Sequence, residues 1–371
     1  MNAIANILHL GFKELRTLFR DPAMMVLIVY SFTLSIHSSA TGIPESPYRA
    51  TIAVVDEDRS PASQRIIDAF QAPYFLEPVL TNHAEMDAGM DKGRYTFTLN
   101  IPPDFQRDLL AGRSPAIQLN VDATQISQAF SGAGHIQQIV SSEVATFLSG
   151  YVPDASPPVQ AVVRTVYNPN LYQSWFGAIN AVINQITMLS IILTGAALIR
   201  EREHGTIEHL LVMPVTPFEI MAAKVWSMGL VVLIAAALAL HFIVEEWLDV
   251  PITGSVALFL LGTTLHLFAT TSLGIFFGTV ARSMPQLGLL IILTLMPLQV
   301  LSGGMTPRES MPEMVQNLML AAPTTHFVAL GQSILFRGAG LAIVWPQLLA
   351  LVVIGAVFFA VALSRLRKSL G

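Results

Sequence analysis

Long apolar runs separated by short polar stretches are the dominant pattern of this chain. A helix needs about 20 apolar residues to cross roughly 30 Å of hydrocarbon, and six runs approach or exceed that length. Charged residues make up only 12% of the 371 positions, against about 25% in soluble domains. The pattern therefore predicts an α-helical polytopic membrane protein with six spans, at Ala23–Ala40, Trp175–Ile199, Ile220–Val244, Val256–Val280, Leu287–Leu301 and Leu341–Leu363.

The fifth apolar run is interrupted near its end. It contains Pro297, reaches Gly303 and Gly304, and is followed by the charged Arg308. Proline removes a helical hydrogen bond, and glycine permits backbone conformations that end a helix. Irregular backbone at membrane depth persists only where it packs inside protein. We therefore expect a broken fifth span followed by a re-entrant hairpin over residues 303–335.

The basic residues fall on one set of flanks of the predicted spans. With the N-terminus inside, the outer short loops hold only Arg308 and Arg337. Lys and Arg concentrate on the cytoplasmic side of membrane proteins, so the distribution predicts that both termini lie in the cytoplasm (N-in/C-in). The basic residues on the predicted inner flanks are Lys13, Arg16, Arg20, Arg200, Arg202, Lys224, Arg282, Arg365, Arg367 and Lys368.

The chain before the first span has a helical period. Leu8, Phe12 and Phe19 recur at helical spacing, opposite the charged side chains of Lys13 and Glu14. One apolar stripe facing one charged stripe is typical of a helix that lies in a membrane interface.

We accordingly expect a cytoplasmic interfacial helix over residues 1–22, leading into an uncleaved first span over residues 23–40. The alternative is a secretory signal peptide, because the basic start, the apolar run and the small residues at its end also fit that pattern. The long amphipathic start favours the first interpretation.

Residues 41–171 have the composition of a soluble α/β domain, which we expect outside the cytoplasm as a periplasmic insertion. Short β-branched runs alternate with helix-start signals, a pattern typical of a sheet covered by helices. The adjacent acids Asp56, Glu57 and Asp58 fit a solvated turn better than a cation site, because few other ligands cluster with them. The predicted strands are Thr51–Val55, Tyr95–Ile101 and Ala116–Val121; the predicted helices begin at Ser60 and Pro102 or cover Ala84–Asp91 and Gln125–Leu148.

A dense charged segment, from Arg200 to Glu219, joins the second and third apolar runs. Thr216 and Glu219 have the spacing of a capping box, with proline at the first helical position. Gly205 permits a tight turn. The pattern therefore predicts a compact helical segment at the membrane surface that a partner protein can bind, with an ordinary charged loop as the alternative.

Three separated stretches resemble ABC type-2 exporter permeases. The resemblance implies a half-transporter of the bacterial inner membrane, with five further spans in residues 172–371. It also implies a second permease protomer, identical or different, and a separate ABC ATPase subunit; a periplasmic adaptor protein is a further candidate partner. The stretches are Arg200–Pro217 followed by Glu219 and Lys224; Val54–Ser60 with Ile101–Phe105 and Val121–Thr124; and Pro297–Pro312.

The same resemblance implies that residues 200–217 form the coupling helix that sits in a groove of the ATPase. The sequence has no phosphate-binding G-x-x-x-x-G-K-[ST] loop, so we expect this chain to be no enzyme. ATP and Mg²⁺ then bind to the partner, and this chain carries no cofactor. His204 and His209 lack the spacing of a metalloprotease zinc motif, so we expect no metal. The predicted coupling residues are Arg200, Glu201, Arg202, Glu203, His204, Gly205, Thr206 and Glu208.

Polar side chains inside the predicted spans are candidates for a substrate path. Ser, Thr and Asn also hydrogen-bond between helices, and that alternative is the favoured one. Gly274 and Gly278 form a G-x-x-x-G face that suits close packing, within the chain or between protomers. The candidate path residues are Asn180, Asn184, Thr187, Thr263, His266, Thr270 and Gln299.

The expected function is that of the membrane-spanning permease subunit of an ATP-driven ABC exporter. The candidate path has no acidic side chain and mildly polar faces, which favours amphipathic or hydrophobic substrates, drugs among them, over small cations. The alternative is a membrane-anchored sensor or assembly scaffold with a ligand-binding periplasmic domain. An intramembrane hydrolase is disfavoured, because the sequence lacks both a metal triad and a credible catalytic Ser/His pair. Membrane lipid is an expected partner, and nucleic acid is not.

Overall fold

The computed structural model describes residues 3–42, 49–122, 126–151, 172–203, 205, 214–304 and 308–370. The chain divides into two compact units. One consists of Met1–Thr41 and Thr165–Gly371, and the other is Gly42–Arg164. The first is helical, and the second contains a small sheet.

Three helices open the chain: α1 (Ala3–Phe19), α2 (Pro22–Phe32) and α3 (Leu34–Thr41). The carboxylate of Asp21 accepts hydrogen bonds from the first backbone N–H groups of α2, with Pro22 at the first helical position, which is a favoured helix start. The predicted first span corresponds to α2 and α3 together, but it is not one continuous helix. The backbone leaves helical geometry at Thr33, where the sequence has no glycine or proline to signal a break.

The α/β unit contains a mixed four-stranded sheet in the order β2-β1-β3-β4. Its β1 strand pairs in parallel with β2 and β3, whereas β3 and β4 are antiparallel. The three predicted strands are confirmed, the first shifted by one residue and the other two shorter, and β2, of two residues, was not predicted. The elements are β1 (Ile52–Asp56), α4 (Pro61–Asp68), β2 (Val79–Leu80), α5 (His83–Asp91), β3 (Phe97–Ile101), α6 (Phe105–Leu110), β4 (Gln118–Val121) and α7 (Ile126–Tyr151).

Asp56 organises the turn between β1 and α4. Its carboxylate accepts hydrogen bonds from the backbone N–H groups of Asp58 and Arg59 and from the hydroxyl of Ser63. Ser60 and Ser63 cap α4 reciprocally. The acidic run is therefore a structured turn, and no group of three potential metal ligands occurs among the residues that the structure describes.

The remaining helices belong to the helical unit. Six helical stretches of this unit are long and apolar enough to cross a membrane, starting with Pro22–Thr41. The six predicted spans are thus matched in number and position, while their orientation stays a prediction. The elements are α8 (Gln173–Glu203), α9 (Pro217–Leu238) with a π-helical continuation (Ala239–Trp247), α10 (Val256–Val280), α11 (Met284–Leu301), a 3-10 turn (Arg308–Ser310), α12 (Glu313–Met319), α13 (Pro323–Leu335) and α14 (Leu341–Leu370).

The fifth span ends where the sequence predicted a break. Helix α11 stops at Leu301, and Gly303 adopts a left-handed conformation with φ of 95°. Helices α12 and α13 follow as a pair bent by 88°. This geometry is that of a broken span or a re-entrant loop, as expected from the glycines and the charged residues beyond them.

Helix α8 forms the centre of the helical unit, with most of its apolar length buried. The two glycines of α10 lie directly against it. A Cβ on Gly274 would lie 2.6 Å from the carbonyl oxygen of Ile191, and one on Gly278 would lie 3.2 Å from that of Gly195. A side chain at Gly274 therefore does not fit without a shift of the backbone and one at Gly278 would be tight, so the glycine face packs within this chain.

Candidate functional site

The last turn of α8 is the start of the predicted coupling segment, and it continues the span without interruption. Arg200 forms an ion pair with Asp21, the residue that caps α2. Glu201 accepts from Lys13 of α1 at 2.7 Å and pairs with Lys224 of α9 at 2.7 Å. Two neighbouring residues are therefore bonded to α1, to the start of the first span and to the third span.

The next two residues reach two further spans. The guanidinium of Arg202 donates to the carbonyl oxygen of Ala281 at 2.7 Å, directly after α10. The carboxylate of Glu203 accepts from the backbone N–H of Met284 at 3.2 Å, the first residue of α11. Successive residues of an α-helix point about 100° apart, so these four consecutive side chains point in four different directions and contact different segments of the chain.

Lys13, Glu14, Glu201 and Lys224 form one ion-pair cluster, the basal cluster. The Nζ atom of Lys224 lies 2.9 Å from a Glu14 oxygen and 2.7 Å from a Glu201 oxygen. The Lys224 side chain is only 2% exposed, whereas that of Lys13 is 46% exposed. A buried charge requires a partner, and here each buried charge has at least one. The cluster ties α1, α8 and α9 together at one end of the spans.

Helix α1 is held on α9 by further contacts. The side-chain amide of Asn6 donates to Glu219 at 3.0 Å, and the indole N–H of Trp226 donates to the carbonyl oxygen of Ile7 at 3.2 Å. Gly11 packs against the Trp226 ring so closely that a Cβ would collide with it. The start of α9 is thereby fixed to the N-terminal helix.

The start of α9 has the predicted capping box. The hydroxyl of Thr216 accepts from the backbone N–H of Glu219, and the Glu219 carboxylate accepts from the backbone N–H of Thr216. Glu219 also accepts the Asn6 hydrogen bond. The capping residue therefore serves both its own helix and the contact with α1.

The burial of Glu14 differs from the sequence prediction. The helical pattern put it on the polar face with Lys13, but Glu14 is 6% exposed and faces Lys224. The predicted apolar stripe is present and outward-facing, with Phe12 and Phe19 about 60% exposed. The buried face of α1 instead contains Asn6, Gly11, Glu14 and Leu18. These four residues recur at helical spacing, so the sequence places them on one face of α1. It does not show that this face is buried, because the polar side chains need partners that only the fold supplies.

Gly205 adopts the conformation that the turn prediction requires. Its φ is 68°, and its backbone N–H donates to the carbonyl oxygen of Arg202 at 3.2 Å. A left-handed glycine just past the last helical residue is a common helix ending. His204, Thr206 and Glu208, also predicted to couple, lie outside the described residues, so the coupling role of the segment stays a prediction.

Several predicted path residues meet between α8 and α10. Thr187 and His266 are hydrogen-bonded at 2.8 Å, and Ser190 donates to Thr270 at 2.7 Å. All four are buried, and the His266 ring stacks on Phe327 at 4.1 Å between centroids. Their geometry is that of interhelical hydrogen bonding, the favoured alternative.

The other predicted path residues lie apart from that group. Thr263 is buried and donates to the carbonyl of Phe259 within its own helix. Asn180 donates to the carbonyl oxygen of Gly304 at 3.1 Å and so ties α8 to the end of the fifth span. Asn184 and Gln299 are partly exposed. The structure therefore does not bring the seven residues together into one path.

Comparison with known proteins gives full-length similarities. The family described as ABC-2 family transporter protein matches residues 22–364. The chain is 61% identical to the Escherichia coli K12 protein named inner membrane transport permease YhhJ, over all of this chain and 99% of that protein. It is 29% identical to the probable multidrug ABC transporter permease YbhR of the same organism, over 96% of each chain. The probable multidrug ABC transporter permease YbhS is 25% identical over 88% of this chain and 87% of that protein.

Proposed function

This chain belongs to the ABC-2 transporter family, and from that membership we propose that it works as the permease of an ATP-driven exporter of amphipathic or hydrophobic molecules. It is a multi-pass permease of the inner membrane. Permeases of this family lack the nucleotide-binding domain and pair with an ATPase subunit. The direction of transport, the substrate class and the coupling residues are the proposed parts.

The observation that supports coupling at residues 200–217 is the set of contacts made by Arg200–Glu203. An ATPase that moves this segment displaces at once the start of α2, the end of α10 and the start of α11, together with α1 and α9, through the bonds described above. Because α8 is one continuous helix up to Glu203, the displacement reaches the centre of the helical unit. Rocking of the spans in each protomer would then alternately open a central cavity.

The proposed orientation puts this segment and both termini in the cytoplasm and residues 41–171 in the periplasm. Its support is the concentration of Lys and Arg on the flanks at the end of the spans that carries the basal cluster. These additional basic residues include Arg16, Arg20 and Arg282. Basic residues of short flanks favour the cytoplasmic side. In this orientation the basal cluster faces the compartment that holds the ATPase.

The proposed substrate class rests on two kinds of support. The relatives YbhR and YbhS are named as probable multidrug ABC transporter permeases. Between Asn180 and Thr194 of α8, and between Thr263 and Ser272 of α10, the buried polar groups are hydroxyl and amide groups and one imidazole, with no carboxylate or ammonium group. Amphipathic or hydrophobic molecules need fewer compensating charges than cations do.

Reconstitution with the partner ATPase tests coupling directly. Glu203→Lys should remove the hydrogen bond from the Met284 N–H and replace an acidic side chain proposed to dock on the ATPase by a basic one. Gly205→Pro should disrupt the end of α8. We expect ATP-driven transport to fall at least tenfold in both variants, while folding and dimerisation persist. Normal ATP-coupled transport in both variants would refute the coupling assignment.

The α/β unit supplies matched controls. Glu77→Lys makes the same charge change at an exposed position. Gly112→Pro replaces another left-handed glycine whose N–H donates to the carbonyl three residues before it, that of Leu109. We expect both controls to transport normally if they fold, so that loss in the test variants is attributable to the segment and not to the type of substitution.

A further inference from the structure

A pocket of about 610 Å³ lies beside the hairpin of the helical unit. Its walls come from the start of α8, the end of α11, one face of α13 and the first turns of α14. Phe176, in its wall, precedes Arg200 by 24 residues in the same helix, and at 1.5 Å per residue that is about 36 Å. The pocket is therefore at the opposite end of the spans from the coupling segment.

The charged side chains that line this pocket are basic. Arg308 and Arg337 both border it, and the described lining residues include no Asp or Glu. Arginine presents its donors in a planar fork that fits carboxylate and phosphate groups. The pocket therefore attracts an anion.

Two donors in the pocket are buried without a hydrogen-bond partner among the described residues. They are the Nε atom of Arg308 and the hydroxyl of Thr325. Thr325 is only 5% exposed. Unsatisfied buried polar atoms are rare in folded proteins, because each loses its hydration without compensation. An acceptor that enters the pocket from outside the chain would satisfy both.

The backbone at the start of α13 also favours an anion in this pocket. Helix α13 begins at Pro323, and its N-cap residue Ala322 has no side chain able to cap it. Thr325 is in the first turn of this helix, where unpaired N–H groups and the helix dipole favour negative charge.

The rest of the wall is apolar. Phe176, Val328 and Pro346 line the pocket together with the basic groups. A purely inorganic anion gains nothing from these side chains, whereas a molecule with an acidic head and an apolar tail uses both surfaces. We propose that this pocket binds the acidic head group, phosphate or carboxylate, of an amphiphile whose apolar part packs on Phe176 and Val328.

Two sources supply that chemistry: a membrane phospholipid and a single-chain acidic amphiphile. Binding to the purified chain needs no ATPase, so the result is independent of the proposed export function. The full chain in detergent would be titrated with short-chain phosphatidic acid, laurate, short-chain diacylglycerol and inorganic phosphate, and binding would be measured by native mass spectrometry. We expect one acidic amphiphile per chain, bound about tenfold or more tightly than the uncharged diacylglycerol, because charge-assisted hydrogen bonds contribute at least that factor.

The relative affinities for phosphatidic acid and laurate identify which source fits. Arg308→Gln with Arg337→Gln should weaken acidic-amphiphile binding at least tenfold, while Arg365→Gln, the same change at an exposed position near the other end of α14, should not. Thr325→Val is the test if the double variant does not fold, and we expect it to weaken binding severalfold. Unchanged binding in these variants, equal binding of the uncharged diacylglycerol, or equally tight binding of inorganic phosphate would overturn the proposal.

Discussion

Lys224 and Glu201 form an ion pair with 2.7 Å between Nζ and Oε2, and the two side chains are only 2% and 10% exposed. They lie in different helices that flank the coupling segment, α9 and α8. Glu14 of α1 shares the same ammonium group at 2.9 Å. One buried cation therefore joins three helices at the end of the spans where we place the ATPase.

Loss of that cation should strongly destabilise the helical unit. Lys224→Met leaves Glu14 and Glu201 buried beside an apolar side chain, and a broken buried pair costs about 3–5 kcal/mol. Thermal unfolding of the purified protein in detergent measures the effect. Lys13→Met is the matched control, since Lys13 is 46% exposed and exposed ion pairs contribute about 0–1 kcal/mol. Equal stability of the two variants would contradict the buried role of Lys224.

Replacement of the buried charges together should restore stability without restoring transport. Buried ion pairs replaced by apolar groups of similar volume are often neutral or stabilising. We therefore expect Lys224→Met, Glu14→Leu and Glu201→Leu combined to unfold at a temperature near that of the wild type. Its ATP-driven transport should stay low, because the bonds that transmit motion from α8 to α1 and α9 are gone. Wild-type transport in this variant would mean that the cluster serves stability alone.

Added volume at Gly274 should separate α8 from α10. A Cβ there would lie 2.6 Å from the backbone oxygen of Ile191, and a backbone atom cannot move aside as the end of a side chain can. We expect Gly274→Ala to lower the free energy of unfolding by about 1–3 kcal/mol, the usual range for overpacking. Gly288→Ala in α11 has nothing within 4 Å of the added atom and should be neutral or stabilising in the same unfolding assay.

The positions of the spans were predictable from sequence because each depends on the length of its own apolar run. The end of the fifth span at Gly303 and the capping of α9 by Thr216 were predictable for the same reason, since their signals are local. The break at Thr33 and the π-helical end of α9 were not, because no local residue type marks them.

The coupling site was predictable in part. The dense charge of the segment and its position between two spans drew attention to Arg200–Glu203, but the residues that bind these side chains lie far away in sequence. Asp21 is 179 positions from Arg200, and Glu14 is 210 positions from Lys224. Charge alone predicted that Glu14 faces solvent, whereas tertiary pairing with Lys224 makes its burial possible.

Asp21 has two roles that substitution can separate. Its carboxylate caps α2 through the backbone N–H groups of Ala23 and Met24, and it pairs with Arg200. Asp21→Ser keeps a side chain that caps helices well but removes the charge, whereas Asp21→Ala removes both. We expect Asp21→Ala to be less stable than Asp21→Ser by about 1 kcal/mol, the usual contribution of an N-cap, in thermal unfolding of the purified protein.

Transport should respond to the ion pair and not to the cap. If motion of α8 passes to the first span through Arg200, Asp21→Ser and Asp21→Ala should reduce ATP-driven transport equally. Arg200→Gln should reduce it by the same factor, and Asp21→Ser combined with Arg200→Gln should be no worse than either alone, because residues that act through one shared contact are not additive. Additive losses in the double variant would show that the two side chains act separately, and the proposed route from the coupling segment to the first span would then be wrong.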